Sequence, residues 1–254
     1  MNLLRRTMLL AGAALAAGAA RAAEPTAAQV VEKNVAARGG LAAWRAVTGM
    51  TLAGEMDAGG KQPMRLPYVM HLKRPHKSHL EIAFVNQTAI QTFDGQQGWK
   101  FRPYLNRSDV EPLSVAELRA EKATDELDGP LIDHARKGVK VVLVGTEQIE
   151  GRNTYRLKLT RSDGSARQLW VDAQTFLEAR IEGEPRRMDG RMRRVFVYYR
   201  DFKKAGNVMV PHTLETVVEG VRQASTLIID KVEINPKLDD ALFGKPQVSR
   251  AAAG

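Results

Sequence analysis

The spacing closest to a metal motif in this chain is "HLKRPHKSH", which carries His71, His76 and His79. Zinc needs ligands that converge, with a second layer of hydrogen bonds that fixes each ring. Here His71 and His79 fall on strands of opposite direction, on the parity opposite to the apolar residues. That parity puts them on a solvated side, and no metal is assigned. His134 and His212 are isolated. "FDGQQGW" opens with Asp94-Gly95, a pair used both in ion loops and in hairpins. With no third acid nearby to complete an oxygen cage, a tight hairpin is expected. Asp125, Asp128 and Asp133 cluster in one helical stretch, where acids ordinarily serve caps and helix dipoles. The chain has no G-x-S-x-G and no cysteine, so neither common acyl-transfer nucleophile motif is present. Gly39-Gly40 and Gly59-Gly60 suit turns or caps better than a phosphate cradle. No catalytic residue and no cofactor is assigned.

What remains is apolar chemistry. Met56, Met64 and Met70 fall on or beside the first strands, and Met188, Met192 and Met209 follow later. Thioether side chains adapt their shape, which suits a wall that must accept flexible acyl chains as well as it suits an ordinary core.

The elements that would position these residues are legible from periodicity. "TAAQ" from Thr26 is a capping box, Val31 and Val35 follow at helical spacing, and Gly39-Gly40 closes the helix. "LAAWRAV" sets Leu41, Trp44 and Val47 on one face. The period then changes to two. Tyr68, Met70, Leu72 and Arg74 share a parity, as do Leu80, Ile82 and Phe84, with His79 and Glu81 opposite. Trp99 and Phe101 share a parity after the Asp-Gly turn. The strands break once: a capping box at Ser114 starts a helix that fades by Leu127, and Gly129-Pro130 restarts a short one with Pro130 at its first position and Gly138 just beyond its end. Strands then resume to Asn235, for about eleven in all. Several, such as "VFVYY" and "TLIID", have no polar side, so the sheet must bury part of its second face against helices or a ligand.

The ends and the charge bound the cellular setting. Residues 1–22 have a basic start at Arg5 and Arg6, an apolar stretch and Ala20-Arg21-Ala22, the layout of a cleaved secretory leader, by either the general or the twin-arginine route. Its apolar run is shorter than the ~18 residues of a spanning helix. Without Arg5, Arg6 and Arg21 the formal charge falls from +9 to +6, which serves solubility and favours transient contact with anionic membrane surfaces. A nucleic-acid partner is not expected, since no recognition motif is visible. Residues 23–246 are expected to form one domain and 247–254 a frayed tail.

Three phrases in order, "HLKRPHKSHLEI", "FDGQQGWKFRP" and "EINPKLDDALFGKP", resemble the LolA-type lipoprotein carriers of the bacterial periplasm and their LolB and RseB-like relatives. The family pattern has a strand ending in Lys/Arg-Pro, a hairpin with a D-G turn and a Trp, and a closing phrase ending in Phe and Pro. The resemblance spans nearly the whole mature chain. It departs where relatives place an aromatic and this chain has Leu80.

The resemblance implies a mainly β (α+β) fold: an incomplete antiparallel β-barrel wrapped around an N-terminal helix and a helical lid. It implies an apolar cavity for acyl chains lined by Met56, Tyr68, Met70, Leu72, Leu80, Ile82, Phe84, Trp99, Leu131 and Ile132. It gives Arg74 the part of closing the lid. The function implied is a chaperone-like shuttle of lipoproteins or lipids through the periplasm, between an inner-membrane exporter and an outer-membrane acceptor. The missing N-terminal Cys favours the soluble shuttle over an anchored acceptor. A sensing module for lipidated or misfolded envelope proteins is the alternative, and a lipid esterase a more distant one.

Overall fold

The computed structural model describes residues 24–57, 64–105, 107, 109–123 and 127–248. The leader expected over 1–22 and most of the expected tail lie outside the described residues. Two helices lead. Helix α1 (Ala27–Ala37) starts at the expected capping box, with Thr26 Oγ1 accepting from the Gln29 N–H and the Gln29 side chain returning to the Thr26 N–H. Gly39 and Gly40 then turn the chain into α2 (Leu41–Arg45). At Gly39 the turn requires glycine: φ is +107°, and a Cβ would lie 2.3 Å from the Asn207 carbonyl oxygen.

The strands are β1 (Gly49–Asp57), β2 (Arg65–Lys73), β3 (Lys77–Phe84), β4 (Gln87–Phe93), β5 (Gly98–Phe101) and β6 (Glu111–Pro112). Helix α3 (Val115–Ala123) interrupts them. Then come β7 (Lys140–Ile149), β8 (Arg152–Thr160), β9 (Ala166–Asp172), β10 (Glu178–Met188) and β11 (Arg191–Arg200). The last are β12 (Lys203–Ala205), β13 (Val208–Val210), β14 (Thr213–Val218) and β15 (Ser225–Ile234). Against the eleven strands expected, the described residues hold fifteen. Strands β6 and β12 are too short to show alternation, and Pro211, without an N–H to give a ladder, divides β13 from β14.

Thirteen strands form one antiparallel sheet in the order β6-β5-β4-β3-β2-β1-β15-β14-β11-β10-β9-β8-β7, and β12 and β13 form a small separate ribbon. The edges β6 and β7 do not pair, so the barrel is incomplete. Strands β1 and β15 meet across a register shift at Ala53/Gly54, where a Cβ on Gly54 would sit 2.0 Å from the Ile228 carbonyl oxygen. One face of the sheet is apolar from β3 through β7. Trp44 and Val47 at α2 pack against Met50, Leu52, Tyr68 and Ile229 in one half of the core. Val30 and Val31 of α1 pack against Leu157, Leu169, Val171 and Ile181 in the other. Val35 touches both halves, so α1 fills the trough along its length.

The second helix expected after Gly129-Pro130 does not form; 130–138 is a run of bends and turns. Asp133 takes φ +52°, which ends any right-handed helix there, and its carboxylate is held by both forks of Arg45 at 2.6 and 2.7 Å. The turns still deliver Leu131 and Ile132, each 1% exposed, into the two halves of the core.

Candidate functional site

Register decides which side chains share the trough. Tyr68 pairs with Ile82, Met70 with Leu80 and Leu72 with Ser78, and on the next ladder Leu80 pairs with Gln91 and Gln91 with Lys100. Directly paired residues lie on one face. Met56, Met70, Leu72, Leu80, Ile82 and Leu227 therefore form an inner wall, and all six are only partly buried although they pack on a closed core. Tyr68 on the same wall is 2% exposed, and its hydroxyl has no hydrogen-bond partner among the described residues. Burial, then the nearby Asp230 carboxylate, pushes the Tyr68 phenol above its ordinary range.

Helix α3 lies along this wall at the β4–β5 side, and among its described side chains, Val115 to Lys122, none is fully buried. It is fastened by charge. Glu117 accepts from Lys100 Nζ at 2.5 Å and from Arg102 at 3.0 Å, while also closing the capping box through the Ser114 N–H. Glu121 accepts from Gln91 at 2.5 Å and from Ser78 at 3.4 Å. Desolvation alone would raise Glu117, but the bonds from Lys100 and Ser114 outweigh it and hold the carboxyl at about 2. The other side of α3 faces a groove of about 410 Å³. Val115 and Leu118 give it an apolar floor, and Arg119, Lys122, Arg161 and Arg167 give it a basic rim. Its far bank is the β8–β9 hairpin, from Arg161 to Arg167.

Arg74 binds between the end of α2 and the segment that follows α3. Its Nε donates to the Val47 carbonyl at 2.8 Å, and one terminal nitrogen donates to the Trp44 carbonyl at 3.3 Å and to Asp128 at 2.6 Å. Asp128 is 2% exposed and also takes Lys137, which donates in turn to the Gly129 carbonyl at 2.8 Å. This charged knot joins the end of β2, the end of α2 and the 127–139 segment. A second buried pair, Arg38 with Glu178 at 2.6 Å, ties α1 to the start of β10.

The expected wall residues separate into groups. Met56, Tyr68, Met70, Leu72, Leu80, Ile82 and Ile132 come together in one half of the core, and Leu131 joins the other. Phe84 has the inner parity but stacks on Tyr104 at the rim, with centroids 4.6 Å apart. Trp99 pairs with Thr92, which pairs with His79, so it lies on the opposite face of the sheet from Leu80 and Ile82. The turn between Phe93 and Gly98 spans four residues, and the resulting register sends Trp99 outward. The outer face at His79 is also not the solvated surface expected. His79 is 5% exposed, bonded to the Leu242 carbonyl at 2.7 Å and to Glu81 at 2.8 Å, because the C-terminal turn at Asp240–Phe243 covers it. His71, bonded to Thr51 at 2.8 Å, is held below its ordinary range by burial and by His79, against the opposing pull of Glu81 and Glu233. Among the described residues no group of three His, Asp or Glu side chains is placed to hold a metal ion. Asp94 works as the turn itself, accepting from the Gln96 and Gln97 N–H groups at 2.8 and 2.7 Å.

Comparison with known proteins gives the fold a wider setting. A family model described only as that of an uncharacterized protein matches residues 132–250. No curated protein matches the sequence. Among solved structures, a LolA superfamily protein from Nitrosomonas europaea superposes with a TM-score of 0.56 at 20% identity, covering 87% of this chain and 99% of that one. A domain described as an outer membrane lipoprotein-sorting protein, from Vibrio parahaemolyticus, gives 0.54 at 11% identity, covering 85% and 94%. A DUF1329 family protein from Desulfovibrio piger gives 0.57 at 14% identity, covering 86% and 97%. At these identities the likeness establishes the fold: the chain has the open half-barrel of LolA-type proteins. Among the described residues no helix is long and apolar enough to cross a membrane.

Proposed function

We propose that this chain binds acyl chains of lipids or lipoproteins against its inner wall, under α3, and carries them between membranes without chemistry on them. The observation that carries this reading is the half-covered wall of Met56, Met70, Leu72, Leu80, Ile82 and Leu227. A folded chain normally completes the burial of such a surface. Left partly open beneath a helix held by ion pairs, it can gain about 0.8 kcal/mol for each methylene that enters. The unpartnered Tyr68 hydroxyl adds one donor among the apolar side chains of this wall, enough to orient an ester or amide carbonyl. Release asks for a cover that can leave at little cost, and a helix with none of its described side chains fully buried is consistent with that.

The description of one neighbour as a sorting protein of outer membrane lipoproteins suits this reading, and the leader-like start at 1–22 suits the periplasm. Delivery from an inner-membrane exporter to an outer-membrane acceptor is the route consistent with both. The test is native mass spectrometry of the protein purified from its own envelope, followed by solvent extraction. Co-purified lipid or lipoprotein in stoichiometric amount is the expected result. A protein that emerges empty, and that also fails to take up a fluorescent fatty acid, ends the proposal.

A further inference from the structure

The hairpin of β10 and β11 outruns its sheet. Strand β10 pairs with β9 only from Glu178 to Ile181, and β11 pairs with β14 only from Val195 onward. Past Arg194, whose carbonyl still accepts from the Glu219 N–H, the two strands pair with each other alone, as Arg186 with Arg193, Arg187 with Met192 and Met188 with Arg191. They turn at Asp189 and Gly190, both at positive φ. A two-stranded ribbon is marginal by itself, and like charges directly opposite weaken it further. Arg186, Arg187 and Arg191 are exposed, and among the described residues none of them, nor Arg193, forms an ion pair; Arg194 is taken by Glu182. Such a ribbon is poorly explained by its own stability and well explained by an anionic partner.

Its surroundings specify the partner. The ladders run from Met188–Arg191 through Val218, Thr226 and Asp57 to Arg65, so the ribbon tip, Met64 and the β8–β9 hairpin lie at the same end of the sheet. Met192 and Met64 are 63% and 57% exposed there. Glu184 at the foot of the ribbon lines the groove beside α3. Arginines interleaved with exposed thioethers match the interface of an anionic bilayer, where guanidinium groups meet phosphates and apolar side chains enter the headgroup layer. An acidic protein surface would use the arginines and leave the methionines in water.

We propose that the β10–β11 ribbon docks this end of the half-barrel on anionic phospholipid, turning the groove towards the membrane. The proposal goes beyond lipid binding in the trough and does not depend on it. The experiment is co-sedimentation of the protein with vesicles of phosphatidylglycerol and phosphatidylethanolamine, and with phosphatidylcholine vesicles, at low salt and at about 0.5 M salt. Binding is expected to the first alone, and to be lost at high salt. Each basic residue strengthens attachment to an anionic leaflet roughly five-fold, so Arg186→Gln/Arg187→Gln/Arg191→Gln should weaken it roughly 100-fold. The control Lys203→Gln/Lys204→Gln/Lys237→Gln removes the same charge from exposed positions at the other end and should bind like the native chain. Melting curves verify that both triple variants are folded. Equal binding to phosphatidylcholine, equal loss in the control, native-like binding by the ribbon variant, or binding to a poly-glutamate peptide in place of vesicles would each overturn the proposal. Fatty-acid uptake measured without vesicles should be unchanged in the ribbon variant, which separates this result from failure of the carrier reading.

Discussion

Replacing Glu117 by glutamine should release α3 while leaving the half-barrel folded. Glutamine keeps the capping box with Ser114, so the substitution removes the charge and little else. What it removes is the attraction to Lys100 and Arg102. The carboxyl is held at about 2 against an ordinary 4.5, which sets an upper limit of about 3 kcal/mol. Its side chain is 28% exposed and that of Arg102 34%, so screening by water brings the expected value to about 1–2 kcal/mol. Amide exchange in 115–123 should therefore speed up roughly ten-fold, with the thermal midpoint nearly unchanged because none of the described side chains of α3 is fully buried. Acid should mimic the variant. A carboxyl with a depressed pKa stabilises the docked helix fully above its ordinary value, and that contribution is lost as pH falls from about 4.5 towards about 2. The glutamine chain should lack that part of the acid response. Exchange in α3 that matches the native chain at pH 7 would refute the latch.

Ile82→Asp should abolish fatty-acid uptake by charging the inner wall, whereas Trp99→Ala, on the outer face, should leave it intact in the same fluorescence titration. Arg74→Leu leaves the buried Asp128 with Lys137 alone, at a cost of about 2–3 kcal/mol, and should lower the thermal midpoint by about 5–10 °C. Exchange should then rise in 127–139 before it rises in the sheet. Tyr68→Phe relieves a buried hydroxyl of its missing partner, so the melt should hold or rise by about 1 kcal/mol while lipid affinity falls. An unchanged affinity would remove Tyr68 from the site.

The local rules were the legible part. Both capping boxes, at Thr26 and Ser114, start the helices they predict, and the period-two wall of Tyr68, Met70, Leu80 and Ile82 faces the core as its parity requires. What depended on non-local geometry was not legible. Trp99 shares a visible parity with Phe101, but its face relative to Leu80 is set by the count of residues in the turn at 94–97. Asp133 sits in a good helical context, and only the tertiary pair with Arg45 explains its positive φ. Glu117 announces itself as a cap residue, while its second task depends on Lys100, brought close by the β4–β5 hairpin. His79 is covered by a turn more than a hundred residues away in sequence, at Asp240–Phe243.

A sheet that does not close leaves two edge strands with unpaired backbone, each a template on which another copy could add a strand. Strand β6, two residues long, offers little to copy. Strand β7 is ten residues long and carries Val142 and Val144 half exposed, which makes it the vulnerable border. Its register with β8 slips between Leu143 and Gly145, so a row of hydrogen bonds begun at one end cannot continue in phase to the other. The slip that looks like an imperfection in the ladder thus makes β7 a poorer template for an added strand than its length suggests, and straightening it should raise the tendency to aggregate.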